Sequence, residues 1–196
     1  MRWAPAAAAT GRMASPDSEV RWAVLVPRAQ RGDAAARDAV YAAFAPVVHA
    51  IVLGRVGSAH VADVTQEVFC SVFASLKSLR DPEALPGFVC AAARNASFDV
   101  LRRRQRTPVA SPIEDVAANE PSPALRAEQR DLADRVLGCI RELPEAYREP
   151  LLLRLVGGLS GQEIADRTGL THGSVRVNLT RGMAMLRPLL QEAGLP

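Results

Sequence analysis

The chain has 196 residues, with 24 basic and 21 acidic side chains, a net charge of +3, and only 5% aromatic residues. At 48% hydrophobic and 23% charged it can close a core, and so few aromatics leave Ala, Val and Leu, the residues of helix packing, to build it. So small a net charge does not establish a polyanionic partner; the placement of the arginines has to decide. No apolar run approaches the ~18 residues a membrane span needs, and the opening alanines are too weakly apolar for a secretory signal. Cys70, Cys90 and Cys139 are odd in number and form no CxxC pair. That argues against disulfides and a zinc site and for a reducing, cytoplasmic setting.

In chain order, residues 1–17 read as a flexible leader, with Met13 an alternative start. Asp33 after Gly32 is set to cap a helix on which Val40, Phe44, Val47, Val48 and Ile51 recur at helical spacing, with a bend at Pro46. Val61, Val64, Val68, Val72, Leu76 and Leu79 define a second buried face. The run Arg80-Asp-Pro-Glu-Ala-Leu-Pro-Gly87 breaks it, and a helix from Phe88 through Leu101 ends in Arg102-Arg-Arg-Gln-Arg106. Pro108, Pro112, Pro121 and Pro123 then remove helix donors, so 107–127 reads as a tether. Beyond it, Leu132, Val136, Ile140 and Leu143 line one helix. Pro144-Glu145 opens another, bearing Leu151, Leu152 and Leu155 and stopped by Gly157-Gly158. No useful period-two stretch occurs. The fold class expected is all-α: two small helical domains, 18–106 and 128–192, joined by a flexible proline-rich linker.

Ser160-Gly-Gln-Glu163 is a capping box, Gly169 permits a tight turn, and Thr171 caps a last helix. A short helix, a glycine turn and a longer helix form the helix-turn-helix pattern. Ile164, Ala165, Leu170, Val175, Leu179, Gly182, Leu186 and the flanks of Met183 are expected inside it. Gly173, Ser174, Val177, Thr180 and Arg181 face outward with Arg176 on the shoulder, and His172 begins the helix. Three arginines and no acid lie from Thr168 to Arg187, a surface suited to the major groove. Arg94, Arg102, Arg103, Arg104 and Arg106 crowd the other helix end; this exceeds what the helix dipole requires and suits phosphate contact. On Asp63-Val-Thr-Gln-Glu-Val-Phe69, Val64 and Val68 point inward while Asp63, Gln66, Glu67 and Phe69 lie toward the other side. His49, His60 and His172 are scattered, with neither nucleophile neighbours nor metal-ligand spacing, so no enzyme, metal site or cofactor is expected.

Together, Ala29-Gln-Arg-Gly-Asp33, the Asp63–Phe69 segment, Ala93-Arg-Asn95 with Asp99-Val-Leu-Arg-Arg-Arg104, Leu143-Pro144 and Leu159-Ser-Gly-Gln-Glu-Ile-Ala165 resemble bacterial sigma factors of the extracytoplasmic-function type. The resemblance implies that Asp63, Gln66, Glu67 and Phe69 dock on the β and β′ subunits of core RNA polymerase. It implies that Arg94, Asn95, Arg102, Arg103, Arg104 and Arg106 engage the −10 element as it melts, with the Arg80–Gly87 loop capturing a flipped base. His172, Gly173, Ser174, Arg176, Val177, Thr180 and Arg181 would read the −35 element as duplex. An anti-sigma factor is the further partner implied, without membrane insertion. Pro27 falls inside the family's first helix, where a kink or later start is expected. A stand-alone helix-turn-helix regulator would leave the Asp63–Phe69 surface and the arginine tail unassigned. A sigma-mimicking adaptor that sequesters an anti-sigma protein would be expected to lose those arginines.

Overall fold

The computed structural model describes residues 16–106 and 123–195, with side chains over 22–103 and 131–195. Its regular structure there is helical: α1 Pro16–Gln30, α2 Ala34–Val56, α3 Val61–Ser75, α4 Leu85–Arg106, α5 Pro123–Glu142, α6 Glu145–Leu155, α7 Gly161–Thr168 and α8 His172–Glu192. Short 3₁₀ turns at Ser58–His60, Leu76–Ser78 and Pro82–Ala84 join the helices of the first half.

Helix α2 is the axis of the molecule. Asp33 accepts a hydrogen bond from Ala36 N at 3.1 Å and so satisfies an orphan donor of its first turn. That backbone bond, with help from Arg28, holds the Asp33 carboxyl below its usual range. Val40, Phe44, Val47, Val48 and Ile51 are all fully buried, as their spacing requires. Each such side chain contributes roughly 1.5–3 kcal/mol on leaving water. Helices α1, α3 and α4 pack around α2 to form the first module. In the second, α8 packs on α5, α6 and α7. The modules are not separate bodies on a string: α5 and α6 lie against α2, α7 lies against α4, and a single hydrophobic cluster runs through both.

The closest approach is at Gly54. A Cβ there would sit 2.1 Å from Leu152 Cδ1, so the missing side chain lets α6 seat against α2. In the second module Gly182 does the same for Leu151, whose Cδ1 would be 2.8 Å from an added Cβ.

Several sequence expectations are corrected. Helix α4 starts at Leu85 rather than Phe88, because the prolines at 82 and 86 fall in a 3₁₀ turn and a first helical turn, where proline is tolerated. Helix α5 starts at Pro123, ahead of residue 128, for the same reason. Helix α1 starts at Pro16, well before Pro27, so the later start is not seen, and α1 and α2 each keep their proline, Pro27 and Pro46, inside the helix. Leu170 and Met183, expected inside the helix-turn-helix, are 39% and 36% exposed. Helix α2 is long and apolar enough to cross a membrane, but 61% of that apolar window is buried among its neighbours, as in a core helix. Of the 1–17 leader, residues 1–15 lie outside the described residues, as do residues 107–122 of the 107–127 tether.

Candidate nucleic-acid and protein interfaces

The helix-turn-helix is set by its caps. Ser160 Oγ accepts from Glu163 N at 3.2 Å, and Glu163 Oε2 accepts from Ser160 N at 2.8 Å, closing the capping box in both directions. The Ser160 amide, then its hydroxyl, pull the Glu163 carboxyl below its ordinary range. Gly169 takes the left-handed conformation at φ +75°, which a side chain would resist, and turns the chain. Thr171 Oγ1 then accepts from Ser174 N at 3.1 Å and starts α8.

Val175 and Leu186 are buried, Gly182 is buried, and Leu179 is half-buried, which fixes the rotation of α8. His172, Gly173, Ser174, Arg176, Val177, Thr180 and Arg181 are all exposed on the opposite side. The whole sequence-predicted reading face is therefore open to solvent, and small near its N-terminus. Asn178, on the flank, instead lines a groove with Arg94, Glu145 and Glu149.

In the first module the predicted residues divide. Gln66 and Phe69 line a groove with Tyr41, His49, Thr65 and Phe73. Phe69 is not directed outward as expected: it is 4% exposed, because the Tyr41 ring closes over it at 4.5 Å and Phe73 follows at 6.1 Å. Tyr41, itself 47% exposed, is the aromatic the groove presents. Asp63 is exposed at the start of α3. Glu67, one turn later, lines a different groove between α3 and α4 with Phe88, Asn95 and Asp99, where Arg103 Nη2 lies 3.8 Å from its carboxylate.

Along α4, Asn95, Phe98 and Arg102 follow each other at helical spacing on the exposed side. Phe98 is 51% exposed, and Arg55 lies over its ring at 5.6 Å. The sequence reading missed Phe98 and Tyr41; a half-exposed aromatic on an otherwise polar helix face is the signal that marks both. Arg102 pairs with Asp99 at 2.7 Å and stays 63% exposed with Arg103 at 70%, so both guanidinium groups remain accessible. The side chains of Arg104 and Arg106 lie outside the described residues. Arg94 differs from what was expected. It turns inward and donates to Glu149 through Nε at 3.0 Å and Nη2 at 2.7 Å. Those hydrogen bonds raise its already high pKa further.

Among the described residues no His, Cys, Asp or Glu cluster could hold a metal ion. Cys90 is fully buried and its thiol is pushed up to about 12, first by burial and then by Glu149, which makes it unreactive. Among the described residues, then, a helix-turn-helix with one open face lies on one group of helices, and an exposed aromatic, exposed arginines and a separate aromatic-lined groove lie on the other.

Comparison with known proteins narrows this. Residues 40–107 match the family model for sigma-70 region 2, and residues 133–186 that for sigma-70 region 4. The ECF RNA polymerase sigma factor ShbA of Streptomyces griseus is 31% identical over 180 residues, covering 86% of this chain and 94% of that protein. The ECF RNA polymerase sigma-E factor of Escherichia coli is 30% identical over 168 residues, covering 81% and 88%. SigE of Mycolicibacterium smegmatis is 32% identical over 138 residues, covering 68% of this chain and 53% of that protein. Among solved structures, CnrH in complex with the cytosolic domain of CnrY superposes with a TM-score of 0.58 at 21% identity, covering 88% and 98%. The chain belongs to the ECF sigma factors of the sigma-70 family, the alternative factors that direct RNA polymerase to promoters.

Proposed function

We propose that the chain joins the β and β′ subunits of core RNA polymerase through the α2–α3 face, reads the −35 element with α8, and melts the −10 element with α4. Three observations support the division of labour. The reading face of α8 is entirely exposed, acid-free and bears Arg176 and Arg181, suited to guanine edges and phosphates in a major groove. Asn95, Phe98 and Arg102 give α4 an amide, an aromatic plane and a cation on one side, the set that holds unstacked bases. The Tyr41–Phe69–Phe73 groove beside exposed Asp63 and Gln66 has the aromatic centre and polar rim of a protein interface. Of these, the open α8 face carries most.

Flipping and stacking a base offset the few kcal/mol of unpairing, so the −10 region opens without a catalysed reaction or a cofactor in this chain. The factor works in the cytoplasm, on the nucleoid when active, and an anti-sigma protein is its further partner, as the CnrH structure with a bound cytosolic domain suggests for a chain of this fold. Run-off transcription from a genomic fragment library with purified core polymerase tests the reading. Defined transcripts that appear only when the chain is added are expected. An identical transcript pattern with and without it overturns the proposal.

A further inference from the structure

A cluster of charged groups joins the two modules where α2 and α4 meet α6. Glu149, on α6, has a side chain only 10% exposed and receives two hydrogen bonds from Arg94 of α4, at 2.7 and 3.0 Å. Arg55 of α2, 4% exposed, lies 3.5 Å from the same carboxylate and also pairs with Glu145. One carboxylate therefore ties two helices of the first module to the second. Around it Arg141 Nη2 donates to Leu53 O at 3.1 Å, Cys90 Sγ to Arg167 O at 3.3 Å, and Leu152 fills the space above Gly54.

We propose that the Arg55–Glu149–Arg94 cluster is a latch that holds the free chain closed and silent, and that joining polymerase requires it to open. The proposal rests on the reading above, in which the modules bind the −10 and −35 elements together. Those elements lie about 25 base pairs apart, or roughly 85 Å of duplex at 3.4 Å per step. A closed chain of this length has a radius of gyration of roughly 16 Å and is about 40 Å across, too short to touch both. The latch also occupies Arg94, one of the cations assigned to the melting face. Bidentate arginine–carboxylate bonds are directional as well as strong, and taking away one partner leaves a charge uncompensated in a partly buried site. A chain that binds only when open has its apparent affinity for polymerase lowered by the fraction that is open.

The test uses the full-length chain and two variants from opposite sides of the contact. Glu149→Gln removes the charge while keeping shape; Gly54→Leu wedges α2 from α6 without touching a charge. Small-angle scattering should show a larger radius of gyration for both variants than for the wild type, at unchanged helical ellipticity. Both should bind purified core polymerase roughly five- to tenfold more tightly, with the same run-off yield at saturation. Variants as compact as the wild type and with its core affinity would overturn the latch. If Glu149→Gln loses helicity, Gly54→Leu decides by the same two readouts. Failure of even the wild type to bind core would instead defeat the sigma-factor reading, while the scattering would still report on the latch.

Discussion

Asp63 and Glu67 stand one turn apart on α3, yet they border different surfaces. Asp63 is exposed in the first turn of α3, whereas Glu67 lines the α3–α4 groove with Asn95. Reversing both charges, Asp63→Arg with Glu67→Arg, is expected to abolish association with core polymerase and leave helical ellipticity unchanged; association at wild-type strength in a pull-down would contradict the docking assignment. On α8, Arg181→Ala should weaken −35-dependent initiation and relax base preference there by ~1–3 kcal/mol. Equal loss on promoters with and without that element would show Arg181 to be a general phosphate contact instead. At this scale the sequence was a good guide wherever one helix decides the answer: the seven predicted α8 residues are all exposed because Val175 and Leu186 fix the rotation. It failed where a distant helix intervenes. Phe69 is adjacent to the Val64–Val68 stripe, and the ring of Tyr41, from α2, packs against it. Arg94 read as a DNA-contacting cation, and nothing in the pattern singled out Glu149, 55 residues away, as its partner.

Elements were legible where their ends are written locally. The capping box, the Gly169 turn and the Thr171 cap use side chains within four residues of the groups they satisfy, so pattern and structure agree. Ser160→Ala should therefore cost about 1 kcal/mol, measured by denaturant unfolding. The Glu163 carboxylate, held below its usual range, gives stability that is complete above the unfolded value near ~4.3 and is lost as pH falls through the lower folded value. Acid titration should thus unfold wild type and Glu163→Gln at midpoints that converge at low pH and separate above that range, with wild type the more stable. The same midpoint gap at every pH would rule out the charged cap. The start of α5 was less legible, since Pro123 ends a proline cluster and also suits a first helical turn.

For the whole molecule, helical periodicity showed two groups of helices but not that they share a core. That contact depends on Gly54 accepting Leu152 and on arginines of one module meeting a carboxylate of the other, none of which leaves a periodic trace. Two modules that close on each other when free and separate on the transcription machine make a factor whose DNA recognition is conditional. Sigma-factor action therefore predicts that specific DNA binding appears only in company with polymerase. The most direct measurement is selection of labelled genomic fragments by the purified chain alone, by core alone, and by both. Specific fragments, enriched only in the combined sample and carrying paired −35 and −10 sequences, are the predicted result; tight, selective binding of duplexes by the chain alone, with no retention on core, would contradict it.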